Sequence, residues 1–184
     1  MPEHAGTHLD APIHFSRGAA SVAELRLEAL VRPAVKLDLR EQVGDDAGYA
    51  VTAADVEAIE SRDGAIPAGS AVLVHTGWDE RVEHATRYGG PGENPSFPGL
   101  SVDAAELLVG RGIAGVGIDT LGIDPGHEPG FPAHGVTLPA GLWHLEGLVG
   151  LDRVPARGAW IVAAPIPIVA GSGAPARVLA IVPR

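Results

Sequence analysis

Three histidines and an aspartate fall within eleven residues near the start of the chain: His4, His8, Asp10 and His14, in the string His-Ala-Gly-Thr-His-Leu-Asp-Ala-Pro-Ile-His. All four occupy even positions, which an extended chain presents on one face. A straight strand would still hold His4 and His8 about 13 Å apart, at roughly 3.3 Å per residue. Ligand atoms of one metal ion each lie only about 2.0–2.2 Å from it. A helix would bring the two histidines together at i,i+4, but Gly6 and Pro12 oppose one. The segment is therefore expected to be a bent loop or bulged strand end, hinged at Gly6, that gathers its side chains around a metal.

The sequence contains no cysteine, which excludes disulfides, thiolate zinc sites and a cysteine nucleophile. Any metal must be held by His, Asp and Glu. Imidazole combined with carboxylate suits zinc, manganese or iron. Further ligands would come from elsewhere in the chain, from His75, His84, His127, His134, His144 or the acids, and spacing alone does not choose among them.

A chain of 184 residues with 46% hydrophobic content suggests one domain and a packed core, not disorder. The formal net charge of -10, the single lysine (Lys36) and the scattered arginines argue against a nucleic-acid partner. No apolar run approaches the roughly 18 residues needed to cross a bilayer. Met1-Pro2-Glu3-His4 lacks the basic start and apolar stretch of a signal peptide. A cytoplasmic protein with no membrane partner is expected.

Alternating apolar residues over 34–39 predict a strand. Thr52 to Ser61 predicts a helix, with Thr52 as its N-cap and Asp55 three residues on. Residues 70–75 and 113–118 read as buried strands. Ser101 would cap a helix running through Val109, with Gly112 beyond its end. Apolar runs at 159–163 and 178–182 predict two closing strands. Interleaved helices and strands make the class α/β. Residues 89–98 and 119–132 are rich in glycine and proline and are expected to be irregular loops that cover or line a site.

The string at 4–15 resembles the signature His-x-Gly-Thr-His-x-Asp-x-Pro-x-His of the cyclase family of metal-dependent hydrolases, which includes bacterial kynurenine formamidase and isatin hydrolase. His75-Thr76-Gly77-Trp78 and Gly115-Val116-Gly117-Ile118-Asp119-Thr120 are similar to two of the family's strand-end segments. His134, with Glu146 twelve residues later in Leu145-Glu146-Gly147-Leu148, is similar to its distal ligand pair.

The resemblance implies a swivelling β/β/α-type domain with a mixed sheet and flanking helices. It implies that His4, His8 and Asp10 bind one metal, and that Asp10, His134 and Glu146 bind a second through shared carboxylates. His14 would be the acid/base. The metal would be zinc, with manganese as the alternative, at one or two ions per chain. The activity implied is hydrolysis of an amide or cyclic amide of the arylformamide or lactam kind, through a metal-bound hydroxide, with a small molecule as substrate. Family members carry several dozen residues ahead of this motif, including a leading strand and aromatic residues that shape the pocket. Residues 1–184 are therefore expected to form a single cyclase-like domain lacking that N-terminal segment. A metal-binding but catalytically impaired protein is the alternative.

The uncovered surface so implied points to a homo-dimer or homo-tetramer. Trp78 and His127 are candidates for substrate contact. Asp119 and Asp124 are expected to cap loops in preference to orienting ligand imidazoles, and His144 is expected to be structural.

Overall fold

The computed structural model describes residues 2–183. Its elements follow in chain order. The first part of the chain forms β1 (His8–Asp10), α1 (Leu27–Leu30), β2 (Val31–Asp38), α2 (Arg40–Val43), β3 (Ala50–Val51), α3 (Ala53–Asp63) and β4 (Ala71–His75). The middle forms α4 (Ala85–Gly89), β5 (Gly99–Leu100), α5 (Val102–Gly110) and β6 (Gly115–Ile118). The last third forms α6 (Pro132–Thr137), β7 (Trp143–Glu146), β8 (Trp160–Pro165) and β9 (Gly173–Ile181).

Seven strands close into a ring in the order β1-β7-β6-β4-β2-β8-β9. β2, β4, β6 and β7 run parallel, while β1, β8 and β9 join antiparallel. β9 pairs back onto β1 through Gly173–Pro175. A separate short ladder joins β3 and β5. The class is α/β with a mixed sheet and flanking helices, as the sequence implies, and the sheet is closed into a barrel.

Strand periodicity splits the core in two. Ala71 and Leu73 of β4, Trp143 and Leu145 of β7, and Leu9 of β1 point into the barrel. Val72 and Val74 of β4 and Val116 and Ile118 of β6 point outward, onto Val56 and Ile59 of α3 and Ala104, Ala105 and Leu108 of α5. The two helices are fixed at their starts by their predicted caps. Asp55 N–H donates to Thr52 Oγ1 at 3.3 Å while Thr52 N–H donates to Asp55 Oδ2 at 2.8 Å. Ala104 N–H donates to Ser101 Oγ at 3.3 Å.

Two strands run beyond their expected limits. β2 starts at Val31 because Val31–Pro33 pairs with β8. β9 starts at Gly173, where Gly, Ala and Pro supply no apolar alternation to reveal the pairing with β1. The short β7 was not evident in the sequence. Among the described residues, no helix is long and apolar enough to cross a membrane.

The inward positions of β6 are glycines because the barrel has no room for more. A Cβ on Gly115 would stand 2.3 Å from Trp143 Cδ2, and one on Gly117 would stand 2.7 Å from Leu148 Cδ1. Gly115→Ala should therefore destabilise the fold by about 1–3 kcal/mol, the usual cost of overpacking. Urea denaturation measures it, and a midpoint equal to that of the parent protein would refute the steric argument.

Candidate metal centre

The antiparallel register of β1 and β7 sets His8 opposite Glu146 and Asp10 opposite His144. Leu9 and Leu145 take the barrel side, so all four polar residues share the other face, and all four are buried. His4 arrives from the turn before β1, where Gly6 adopts φ 61 and bends the chain as expected. His134 arrives from α6.

The donor atoms converge. His8 Nε2 lies 3.3 Å from Asp10 Oδ1 and 3.3 Å from Glu146 Oε2. His134 Nε2 lies 3.4 Å from Asp10 Oδ2 and 3.2 Å from Glu146 Oε1. Each carboxylate therefore turns one oxygen to His8 and the other to His134. His4 Nδ1 adds a contact of 2.6 Å to Asp10 Oδ1. Ligand atoms held tetrahedrally about 2.1 Å from one ion stand about 3.4 Å from each other, and these separations match. The residues thus fit a divalent cation, with His4, His8 and Asp10 forming one set of potential ligands and Asp10, His134, His144 and Glu146 another.

The electrostatics agree. Burial opposes charge on the His8 ring, yet hydrogen bonding to Asp10 and Glu146 raises its pKa to about 10. His134 is likewise raised to about 11 by Asp10, Asp124 and Glu146, against the same opposition. Burial alone would raise the pKa of Asp10 and Glu146, but the neighbouring histidines, His134 foremost, hold both carboxyls below their ordinary range. Two anions this deep need positive charge. Without a cation the imidazoles supply it as protons.

Surrounding groups orient these side chains. His8 Nδ1 lies 2.9 Å from the Gly6 carbonyl, leaving Nε2 for the cluster. Ile123 N–H donates to Glu146 Oε1 at 2.9 Å. Asp124 accepts from the N–H groups of Ala133 and His134 at 2.6 and 3.1 Å, and its Oδ2 lies 2.5 Å from His134 Nδ1. It therefore both caps α6 and turns the His134 ring, where capping alone was expected. Asp119 is a loop cap, accepting from the N–H groups of Thr76, Gly77 and Trp78.

A cavity of about 590 Å³ opens over the cluster, lined by both glycine- and proline-rich loops through residues such as Pro95, Phe97, Leu121 and Pro125. His14 stands at its edge, in a short 3₁₀ turn started by Pro12. Its ring stacks on His4 with centroids 4.2 Å apart, and it makes no ion pair with either carboxylate. Burial pushes its pKa below the ordinary histidine value, outweighing the pull of Asp10.

The two candidates for substrate contact do not line this cavity. Trp78 is packed in the core with its Nε1–H donating to the Tyr88 carbonyl and the Arg81 guanidinium over its ring. His127 is exposed, near Gly48. The aromatic lining comes instead from Phe15, Phe97 and Phe131. Phe15 adjoins His14 in the motif, and the other two lie in the two loops, so an aromatic search confined to those loops and the motif would have found them.

Fold and cluster together define an α/β protein with a carboxylate–imidazole centre suited to divalent cations. The chain belongs to the putative cyclase family, whose model matches residues 1–125. It is 36% identical to the isatin hydrolase of Roseibium aggregatum, over all of this chain and 73% of that protein. It is 32% identical to the kynurenine formamidase of Salinibacter ruber, over 96% of this chain and 75% of the relative. A crystal structure of an isatin hydrolase bound to the product analogue thioisatinate superimposes with a TM-score of 0.95 at 34% identity, covering 100% of this chain and 74% of that one.

Two outcomes are expected. Asp124→Asn leaves the ligands in place but weakens the hold on the His134 ring, so metal affinity should fall 10–100-fold. Competition against a chromophoric chelator reads this, and parental affinity would mean that Asp124 only caps α6. Chelation of the parent protein should lower its melting temperature, because the buried carboxylates lose their counter-charge. An unchanged melting curve after verified metal removal would contradict a cation between Asp10 and Glu146.

Proposed function

We propose that this chain is a metal-dependent hydrolase that opens the C–N bond of an aryl amide or a cyclic amide fused to an aromatic ring. The observation that carries the reading is the juxtaposition of the buried Asp10–Glu146 pair and its imidazoles with a cavity walled by three phenylalanines. Isatin hydrolases and kynurenine formamidases among its relatives support the same chemistry.

The cation sites would be held by His4, His8 and Asp10 on one side and by Asp10, His134 and Glu146 on the other, with zinc as the proposed ion and manganese as the alternative. A divalent cation bound there would acidify water and polarise a carbonyl. The rest of the work falls to the side chains. Phe15, Phe97 and Phe131 offer apolar surface to a flat aromatic substrate and exclude bulk water. His14 faces the same space, and partial burial lowers its pKa from the ordinary histidine value, which favours the neutral imidazole. One ring nitrogen can accept a proton from the attacking water and return it to the departing nitrogen. The products are a carboxylate, an amine and one proton released to solvent, and His14 ends as it began.

His14→Ala should leave metal content nearly intact while turnover of isatin or N-formylkynurenine falls by about 10²–10⁴-fold, the range for losing a general acid/base. His8→Ala should lose metal and turnover together. Elemental analysis beside an absorbance assay makes the comparison. If His14→Ala sheds metal as His8→Ala does, His14 is a ligand and not the acid/base. If the metal-loaded parent turns over neither substrate nor a simple cyclic imide, the hydrolase reading fails.

A further inference from the structure

We propose that His144 is itself a metal ligand, completing with Asp10, His134 and Glu146 a four-residue site for one cation; the proposal rests on the metal-centre reading above. His144 was expected to be structural, and its surroundings argue otherwise. It is fully buried and lies directly across the β1–β7 ladder from Asp10. It shares the cluster-facing side of β7 with Glu146, two residues on.

Proton counting fixes how its ring is used. His144 Nε2 lies 2.7 Å from Thr137 Oγ1. The Thr137 hydroxyl has one proton to give, and it donates to the Ala133 carbonyl at 2.7 Å, one turn back along α6. Nε2 must therefore donate to Thr137, which places the ring hydrogen there. In the neutral ring, Nδ1 is then a bare lone pair. That atom is buried and has no hydrogen-bond partner. Buried polar atoms are rarely left so. The nearest acidic oxygen, Asp10 Oδ2, is 3.9 Å away, too far for a hydrogen bond.

The distance is wrong for a hydrogen bond and close to right for two ligands of one ion. Tetrahedral neighbours stand about 3.4 Å apart. His134 Nε2 is 3.4 Å from Asp10 Oδ2 and 3.2 Å from Glu146 Oε1. One ligand atom from each of Asp10, His134, His144 and Glu146 falls within 4.8 Å of the others. Thr137 then does for His144 what Asp124 does for His134: it holds the far nitrogen so that the near one faces the ion.

The His134–His144 half has four protein donors, the pattern of a closed site. Glu146 turns its other oxygen to His8, 3.3 Å away, and His4, His8, His134 and Glu146 all line the cavity beside His14. A cation held by Asp10, His134, His144 and Glu146 would anchor β7 and α6 to β1.

The test uses the full chain, labelled with ¹⁵N-histidine and loaded with ¹¹³Cd. A coupling between ¹¹³Cd and Nδ1 of His144 is expected in the unaltered protein. An uncoupled His144 Nδ1 in protein whose His134 is coupled would overturn the proposal. Cadmium uptake by His144→Leu gives the second reading. It should bind one ion fewer per chain in chelator competition, with the remaining affinity within a few-fold of parental. Thr137→Val should keep both ions at reduced affinity. Two ions at parental affinity in His144→Leu would equally sink the assignment. Should His144→Leu fail to fold, the coupling experiment decides alone. Lack of turnover in protein that shows the coupling would discard the hydrolase reading and leave His144 a ligand.

Discussion

Two carboxylates buried side by side, Asp10 and Glu146, are the constraint around which the rest of this structure is arranged. Neither can remain an anion at that depth without positive charge close by. The molecule meets the requirement with geometry that starts in the backbone: one three-residue pairing, His8 to Glu146 and Asp10 to His144, puts both acids and two imidazoles on the same face of adjacent strands. A slip of β1 by one residue would turn His8 and Asp10 into the barrel interior and bring Leu9 out. The apolar packing of Leu9 and Leu145 therefore enforces the register of the polar cluster.

The scaffold behind the cluster is correspondingly unforgiving. β6 lies beside β7, and its inward glycines let Trp143 and Leu148 fill the barrel. Trp143 in turn donates its Nε1–H to the Ala29 carbonyl at 2.9 Å. Above the strands, the loop from Asp119 to α6 is tied down at both ends by acids. Asp119 gathers the turn after β4, and Asp124 gathers the start of α6. A long irregular segment is thus held as a wall of the cavity.

Much of the cluster was legible in the sequence because its residues are chemically distinctive and partly local. The parity of His4, His8, Asp10 and His14 and the hinge at Gly6 follow from chain geometry alone, and the bend at Gly6 is present. The capped helices at Thr52 and Ser101 were legible because a cap is a local bargain within four residues. His144 was opaque, since its significance comes from the residue across a ladder that joins positions more than a hundred apart. Trp78 could be named only as a candidate, because an indole just past a strand suits a cavity or a core in sequence. Its partners Tyr88 and Arg81, which settle the matter, come from chain packing. The closure of β9 onto β1 was hidden because Gly173, Ala174 and Pro175 carry no hydrophobic pattern.

That closure bears on the order in which the molecule can be completed. β1 has two ladder partners, β7 and β9, and both lie in the final quarter of the chain. Ser172 Oγ reaches His4 Nε2 at 2.9 Å, and the His4 ring fits against position 173 only because that residue is glycine. On the ribosome, β1 must wait, without either ladder partner and carrying its histidines, until β7 and β9 emerge. The parallel core of β2, β4 and β6 can assemble well before that. A cation held by this cluster would then be captured late, once β7 and β9 have closed on β1.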